Sequence, residues 1–325
     1  MNAAIIVNFM PLILRHSSRL ALVAFILMLA GCSPKSPGSA TPSDLGARKI
    51  KAVCTIGMIA DIVQIVGGDR VTSEGLMGAG VDPHLYKASE GDVRKLAEAD
   101  IIFYNGLNLE GKMGDLFVRM SSTRPTVAVT EHIDPKLLRE PPEFAGHYDP
   151  HVWFDVTLWI SAVQRVAEAL AKLDPTHASD YSQRAAAYAE ELKQLDQFVA
   201  GRVAEIPKER RVLVTAHDAF GYFGQHYDIE VVALQGISTA SEAGVGDVKR
   251  IVDIVVSRKL KAIFAESSVP QRTIEAVVEA ARSHGHTVTI GGSLFSDAMG
   301  DPGTPEGNYI GMIRHNVNTI TDALK

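Results

Sequence analysis

From residue 49 onward, short apolar runs alternate with longer stretches of helical character. In the first half of this region Gly, Asp or Pro bounds most of the runs, which is typical of strands buried in a parallel sheet. Strands that alternate with helices predict an α/β fold, with helices on both faces of a mainly parallel sheet. The predicted strands form two sets of four, namely Ile50–Cys54, Val71–Met77, Ile101–Asn105 and Thr126–Val129, then Val212–Thr215, Glu230–Leu234, Ala262–Ala265 and Val288–Ile290.

A long helical stretch separates the two sets. Residues 178–203 are rich in Ala, Glu, Gln and Leu, and apolar residues recur at helical spacing from Tyr181 to Val199. This pattern predicts one helix of about 25 residues, or about 38 Å. We interpret it as the connector of two lobes, and an ordinary surface helix of one lobe is the alternative. Shorter helices are predicted at Ser89–Ala99, Gly246–Arg258 and Val269–Ser283, with Ser89 as an N-cap.

The first 31 residues have the pattern of an export signal. Arg15 and Arg19 precede the apolar run Leu20–Ala30, which is too short to span a bilayer comfortably. The end of the signal, Leu29-Ala30-Gly31-Cys32, resembles the bacterial lipobox, which implies a lipid-modified N-terminus at Cys32. Residues 32–48 are rich in Ser, Pro, Gly and Ala, so they are predicted to be the anchor and a flexible tether. Met10 is an alternative start.

Composition excludes several classes of function. The formal net charge is −6, and it becomes −8 once Arg15 and Arg19 leave with the signal, so nucleic acid is not an expected partner. The two cysteines, Cys32 and Cys54, exclude a disulfide scaffold and a multi-cysteine metal cluster. The apolar neighbours of Cys54 predict a buried strand residue.

Four polar residues share a context that suits metal binding. The tripeptide Asp-Pro-His occurs twice and ends at His84 and His151, where proline holds the backbone extended. His217 and Asp297 follow predicted strands of the second set, at the end of a sheet where α/β proteins bind ligands. Three imidazoles and a carboxylate suit Zn²⁺, Mn²⁺ or Fe²⁺. Two unrelated loop histidines are the alternative for the tripeptides, and we expect most of the other histidines on exposed stretches, namely His132, His177, His284, His286 and His315.

Seven segments resemble the solute-binding lipoproteins of bacterial zinc and manganese ABC importers. The resemblance extends over essentially all of residues 49–325, and the matching segments are Gly80–Ser89, Asn105–Leu109, Asp149–Asp155, Thr215–Phe223, Ile263–Ser268, Leu294–Gly300 and Tyr309–Leu324. The resemblance implies a metal between two α/β lobes that a long rigid helix joins. By the same resemblance, the metal ligands are His84, His151, His217 and Asp297.

The resemblance also implies a domain layout and partners. Residues 1–31 would be the signal, 32–48 the anchor and tether, 49–175 the first lobe, 176–206 the connecting helix and 207–325 the second lobe. Such a protein captures a divalent cation outside the cytoplasmic membrane and delivers it to the permease and ATPase subunits of an importer. We expect a monomer that the Cys32 lipid holds at the cell membrane or facing the periplasm.

Two features bear on the choice between Mn²⁺ and Zn²⁺ as the transported ion. His217 takes a place that is Glu in many manganese members of the family, and three imidazoles favour Zn²⁺. Zinc-dedicated members often have a His-rich loop before the second ligand, whereas residues 112–146 of this chain contain a single histidine, His132. The sequence therefore leaves both metals open.

Bound imidazoles usually donate their second N–H to a carboxylate or carbonyl. By position, the candidate acceptors are Asp149, Asp155, Asp218 and Glu266.

A zinc-dependent hydrolase is the main alternative function, because it would use similar ligands. Catalytic zinc needs an open coordination position, which four protein ligands would fill, and a His-Glu-x-x-His helix is absent from the sequence. We therefore expect no enzyme activity. No sequence feature supports a third class, a surface adhesin.

Overall fold

The computed structural model describes residues 45–325, so the predicted signal, Cys32 and most of the tether lie outside the described residues. The described strands are β1 (Ile50–Cys54), β2 (Val71–Gly75), β3 (Ile101–Tyr104), β4 (Thr126–Ala128), β5 (Val212–His217), β6 (Glu230–Gln235), β7 (Ala262–Glu266) and β8 (Thr289–Leu294). The described α-helices are α1 (Gly57–Gly67), α2 (Glu90–Glu98), α3 (Gly114–Ser121), α4 (Val156–Leu173), α5 (Ala178–Ala204), α6 (Gly221–Tyr227), α7 (Val245–Ser257), α8 (Arg272–Ser283) and α9 (Tyr309–Leu324).

The strands form parallel sheets in both halves of the chain. The first half has one four-stranded sheet in the order β2-β1-β3-β4, and the second half has the parallel pairs β5-β6 and β7-β8. All eight predicted strands are present, which confirms the α/β fold, and most of their carboxyl ends shift by one or two residues. Parallel strands direct their carboxyl ends to one edge of a sheet, where a site can form.

The prediction was wrong about the end of β8. The sequence analysis ended this strand at Ile290 because glycines follow, yet the strand continues to Leu294. Gly292 has a φ of 152°, and a Cβ there would lie 2.4 Å from the Cγ2 atom of Thr319. The glycines therefore let α9 pack directly against β8 instead of ending the strand.

The predicted long helix is α5, which has 27 residues. At 1.5 Å per residue its length is about 40 Å. Its buried face includes Tyr181, Leu192, Leu195 and Val199, as the apolar spacing predicted. The helix packs against α1 and α4 of the first half and against α9 at the end of the chain. It therefore contacts both halves.

One apolar cluster extends through both halves. It joins Val53 of β1 and Trp159 of α4 to Phe264 of β7 and Val317 of α9. A second, smaller cluster lies among β5, β7, α7 and α8. Cys54 is buried, as predicted, and burial raises the pKa of its thiol to about 12, so this thiol is unreactive.

Residues 45–48 differ from the predicted tether. The side chain of Leu45 is buried in the main apolar cluster, and Arg48 pairs with the carboxylate of Asp100 at 2.6 Å. Arg70 also donates to the backbone oxygen of Arg48. Within the described residues, packing therefore already includes Leu45, four residues before the predicted boundary.

Within residues 45–325, no helix combines the length and the apolar character that a membrane span requires.

Candidate metal centre

Four buried side chains converge between the two halves of the chain. They are His84, His151, His217 and Asp297, and one ligand atom from each lies within 4.8 Å of all the others. His84 is 6% exposed, and the other three are at most 1% exposed. The structure thus brings together the four residues that the sequence analysis proposed.

Their nitrogen and oxygen atoms face a common point. The Nε2 atoms of His84 and His151 are 3.3 Å apart. Asp297 Oδ1 lies 3.3 Å from His151 Nε2, and its Oδ2 lies 3.4 Å from His217 Nε2 and 3.9 Å from His84 Nε2. All three imidazoles therefore present the same ring nitrogen, opposite both oxygens of one carboxylate.

The second-half residues come from the carboxyl ends of neighbouring strands. His217 is the last residue of β5, and the sequence analysis had placed it just beyond that strand. Because β8 is longer than predicted, Asp297 follows its end by three residues rather than seven. β5 packs beside β7, so the ends of β5 and β8 open onto the same side of the second half.

The repeated Asp-Pro-His tripeptides share a local hydrogen bond. Asp82 Oδ1 accepts the backbone N–H of His84 at 2.8 Å, and Asp149 Oδ1 accepts that of His151 at 3.0 Å. The sequence analysis attributed the fixed geometry to proline alone. The aspartate side chain adds an Asx turn that holds each histidine backbone.

Two of the four predicted supporting carboxylates contact the histidines. Asp149 Oδ1 lies 2.8 Å from His151 Nδ1, and Glu266 Oε2 lies 2.5 Å from His217 Nδ1. Arg139 in turn pairs with Asp149 Oδ2 at 2.5 Å. These contacts fix the ring orientation and leave Nε2 as the atom that points at the common centre.

The other two predicted carboxylates lie elsewhere. Asp155 Oδ1 caps the N-terminus of α4, and its Oδ2 lies 3.2 Å from His226 Nδ1. Asp218 is half-buried beside the site, where burial and the charge of Asp149 raise the pKa of its carboxyl. Asp155 is adjacent to the motif in sequence, but the turn into α4 directs its side chain away.

The pKa values of the four groups are strongly coupled. Burial lowers the pKa of His84 to about 3, against the attraction of Asp297. Burial also opposes protonation of His151, but the hydrogen bond with Asp149 and the nearby carboxylate of Asp297 outweigh it and raise its pKa to about 9. Neighbouring carboxylates likewise raise the pKa of His217 against burial. Burial would raise the pKa of Asp297, but His217 and His151 hold it well below its usual range.

Three buried polar atoms point to a cation. His217 Nε2 and both oxygens of Asp297 lack a hydrogen-bond partner within the described part of the chain. Unpartnered buried polar atoms are costly, so such a group needs a ligand. A divalent cation would accept these lone pairs and would displace protons from the imidazoles. Three nitrogens with one or two oxygens suit Zn²⁺ or Mn²⁺.

The remaining predicted histidines lie away from this centre. His132 and His284 are exposed, whereas His177, His286 and His315 are partly buried. His286 Nε2 lies 2.7 Å from the backbone oxygen of Leu260, and His284 Nδ1 lies 2.9 Å from that of Ala280.

Sequence reasoning missed three residues that support the centre. Arg139 holds Asp149, Asn105 donates to the backbone oxygen of Pro150, and Trp153 donates to that of Ser296. Asn105 and Trp153 lie in matched motifs, but long-range contacts alone reveal their roles.

Comparison with known proteins gives matches along nearly the whole chain. The family model described as "Zinc-uptake complex component A periplasmic" matches residues 52–323. The manganese-binding lipoprotein MntA of Bacillus subtilis (strain 168) is 46% identical over 312 residues, which cover 96% of this chain and 100% of MntA. The zinc-binding protein TroA of Treponema pallidum (strain Nichols) is 52% identical over 274 residues, which cover 84% of this chain and 88% of TroA.

The fold is also that of a solved structure. The structure of the periplasmic zinc-binding protein TroA from Treponema pallidum aligns with a TM-score of 0.83 at 51% identity, covering 85% of this chain and 99% of that chain. Since the family model and these relatives extend over most of the chain, the protein belongs to the family of periplasmic component A of zinc-uptake complexes.

Proposed function

We propose that this protein captures Mn²⁺ or Zn²⁺ outside the cytoplasmic membrane and delivers the ion to an ABC-type importer. The observation behind the proposal is the convergence of His84, His151, His217 and Asp297, with buried lone pairs that lack protein partners. The names of the relatives support it, since MntA is called manganese-binding and TroA zinc-binding.

In this function the metal is the cargo, and the four residues bind it directly. The imidazoles bind as neutral groups through Nε2, so metal uptake releases the protons that His151 and His217 hold. Asp149 and Glu266 then balance the added positive charge. Deep burial of the site excludes water and slows escape of the ion.

The same geometry argues against catalysis. A zinc hydrolase activates a water molecule at an open coordination position next to a general base. Here four protein side chains surround the ion, and the nearby carboxylates Asp149 and Glu266 already bond to the histidines. We infer a binding protein rather than a hydrolase.

The proposal includes the partners and location of the protein. The permease and ATPase subunits of the importer would receive the metal, and a lipid on Cys32 would tie a monomeric binding protein to the bilayer. MntA is named a lipoprotein, which supports an anchor of this kind. The motif Leu29-Ala30-Gly31-Cys32 supplies the residue.

Calorimetry on metal-free protein tests the site. We expect one Mn²⁺ or Zn²⁺ per chain, and we expect His217→Ala and Asp297→Ala to weaken binding at least about 100-fold, because each removes a ligand and leaves buried charge unbalanced. Titrating both metals side by side measures the preference between them. His284→Ala is the matched control, because this histidine is exposed at the carboxyl end of α8 and is not one of the four ligands.

Unchanged stoichiometry and affinity in both ligand variants would refute the site assignment. Turnover of an ester or peptide by the zinc-loaded protein, lost in the same variants, would instead favour the hydrolase.

A further inference from the structure

The metal centre meets solvent at a mouth between the two halves. A cavity of about 260 Å³ reaches His84 there, and its walls include Asn108 and Lys112 from the first half. Ser238 and Ala240 form part of the opposite wall. They belong to the mouth loop, which we define as residues 236–244 between β6 and α7. His84 is the most exposed of the four ligands, so the centre lies nearest to solvent on this side.

Thr239 is a polar residue of the mouth loop that turns inward. Its neighbour Ala240 is exposed, whereas Thr239 is only 6% exposed. The Thr239 hydroxyl donates to Asp82 Oδ2 at 2.6 Å. The other oxygen of that carboxylate, Oδ1, accepts the backbone N–H of His84. Asp82 therefore joins the mouth loop to the backbone of a metal ligand.

The floor of the site is closed by a different kind of contact. Trp153 Nε1 donates to the backbone oxygen of Ser296 at 3.0 Å, and Tyr309 donates to the backbone oxygen of Trp153. All three side chains are fully buried. Separating the halves at the floor would disrupt the apolar core, which costs far more than one hydrogen bond.

The mouth lacks such packing. Ile237 is buried where the mouth loop leaves β6, but Ala240 and Ser241 farther along the loop are exposed. The outer part of the loop can therefore swing outward without uncovering a large apolar surface. Gly80 also lies close to the second half of the chain. A Cβ atom added to Gly80 would be 3.3 Å from the backbone oxygen of Ser267. The segment before His84 thus contacts the second half at two points. One is the backbone approach of Gly80 to Ser267, and the other is the side-chain hydrogen bond between Asp82 and Thr239.

We propose that the Asp82–Thr239 hydrogen bond is a latch that holds the mouth loop over His84 and slows release of the metal. Asp82 acts as a positioning residue, because it holds the His84 backbone and the loop at the same time. This inference rests on the proposed function, since it requires that the four ligands bind a metal.

The latch predicts a change in the rate of release. A hydrogen bond to a charged group contributes to the closed state, so its loss speeds release about five- to twentyfold. If Thr239 only stabilised the fold, its replacement would instead lower the melting temperature of the metal-free protein.

A chelator challenge followed by stopped flow measures this rate. Protein loaded with Zn²⁺, and separately with Mn²⁺, is mixed with excess EDTA, and metal release is recorded for three variants. Thr239→Val keeps the shape and removes the hydroxyl, Thr239→Ser restores it, and Ser241→Ala removes an exposed hydroxyl from the same loop. We expect faster release in Thr239→Val alone, with the melting temperature of its metal-free form within about 2 °C of wild type.

Equal release rates in wild type and Thr239→Val would overturn the latch, as would fast release in Thr239→Ser. A fall in the metal-free melting temperature that accounts for the faster release would overturn it too. The proposed function fails separately, because a wild-type chain that takes up neither metal would refute the site itself before any rate is compared.

Discussion

At the scale of single residues, the carboxylates behind the ligands set the charge of the metal centre. Glu266 is buried at the end of β7, where Oε1 accepts the backbone N–H of His217 and Oε2 lies 2.5 Å from His217 Nδ1. One side chain therefore fixes both the backbone and the ring of a ligand. Its negative charge also makes the imidazole a stronger donor to a cation.

Glu266→Gln should weaken Mn²⁺ and Zn²⁺ binding about 10- to 100-fold, because the amide keeps the size of the side chain and loses its charge. Calorimetry on metal-free protein measures the affinity. Glu279→Gln is a matched control, since Glu279 is exposed on α8 and pairs with Arg282. An affinity equal to that of the control would show that the charge of Glu266 does not act on the metal.

At the scale of elements, the imidazole of His226 on α6 contacts carboxylates of two other helices, α4 and α5. His226 of α6 places Nδ1 3.2 Å from Asp155 Oδ2 at the start of α4 and Nε2 2.9 Å from Asp196 Oδ1 of α5. Both ring nitrogens donate only when the imidazole is protonated. The hydrogen bond with Asp155 outweighs burial and, with Asp196, raises the pKa of His226 to about 9.

This raised pKa predicts a stability that depends on pH. Because the folded pKa exceeds the unfolded value of about 6.5, the stabilisation is complete below pH 6.5 and is lost as pH rises through 9. His226→Gln should lower the free energy of unfolding by about 1–2 kcal/mol at pH 6, after allowance for partial exposure, and by much less above pH 9. Urea unfolding at several pH values measures the difference.

His284→Gln is the control for loss of a histidine, because His284 is exposed at the end of α8. A deficit for His226→Gln that does not change between pH 6 and pH 9.5 would contradict the role of the charged imidazole.

At the scale of the whole molecule, the two halves share one apolar core. The main cluster includes Val53 and Phe264, and α5 contacts helices of both halves along about 40 Å. The halves therefore share the core of one folding unit. Among the described residues this core already includes Leu45, which is 13 residues after Cys32 in the sequence.

Cys32→Ser should move the protein from the membrane fraction to the soluble fraction, because the lipobox cysteine would accept the lipid. Fractionation followed by immunoblotting measures the distribution. Metal binding by the released protein would show that it remains folded, since Cys32 is not one of the four proposed ligands. Continued association of the variant with membranes would contradict the lipid anchor.

Local patterns in the sequence were enough to predict most of the secondary structure. The apolar spacing along α5 predicted its buried face, and Ser89 caps α2 with Asp92 in a capping box, as its position suggested. The extension of β8 past Ile290 was not predictable, because a glycine pair ends a strand unless another element packs against it. Here α9 supplies that element from later in the chain.

The sequence by itself determined the fold class and the four candidate ligands. Apolar periodicity acts over a few residues, and the Asp-Pro-His turns around His84 and His151 are local structures. Only the tertiary structure decided which charges act on those ligands. It placed Asp149 and Glu266 against imidazoles, turned Asp155 toward His226, and brought Thr239 to Asp82 across 157 residues of chain. Electrostatic forces depend on distance in space rather than in sequence, so the packing of the two halves had to be known first.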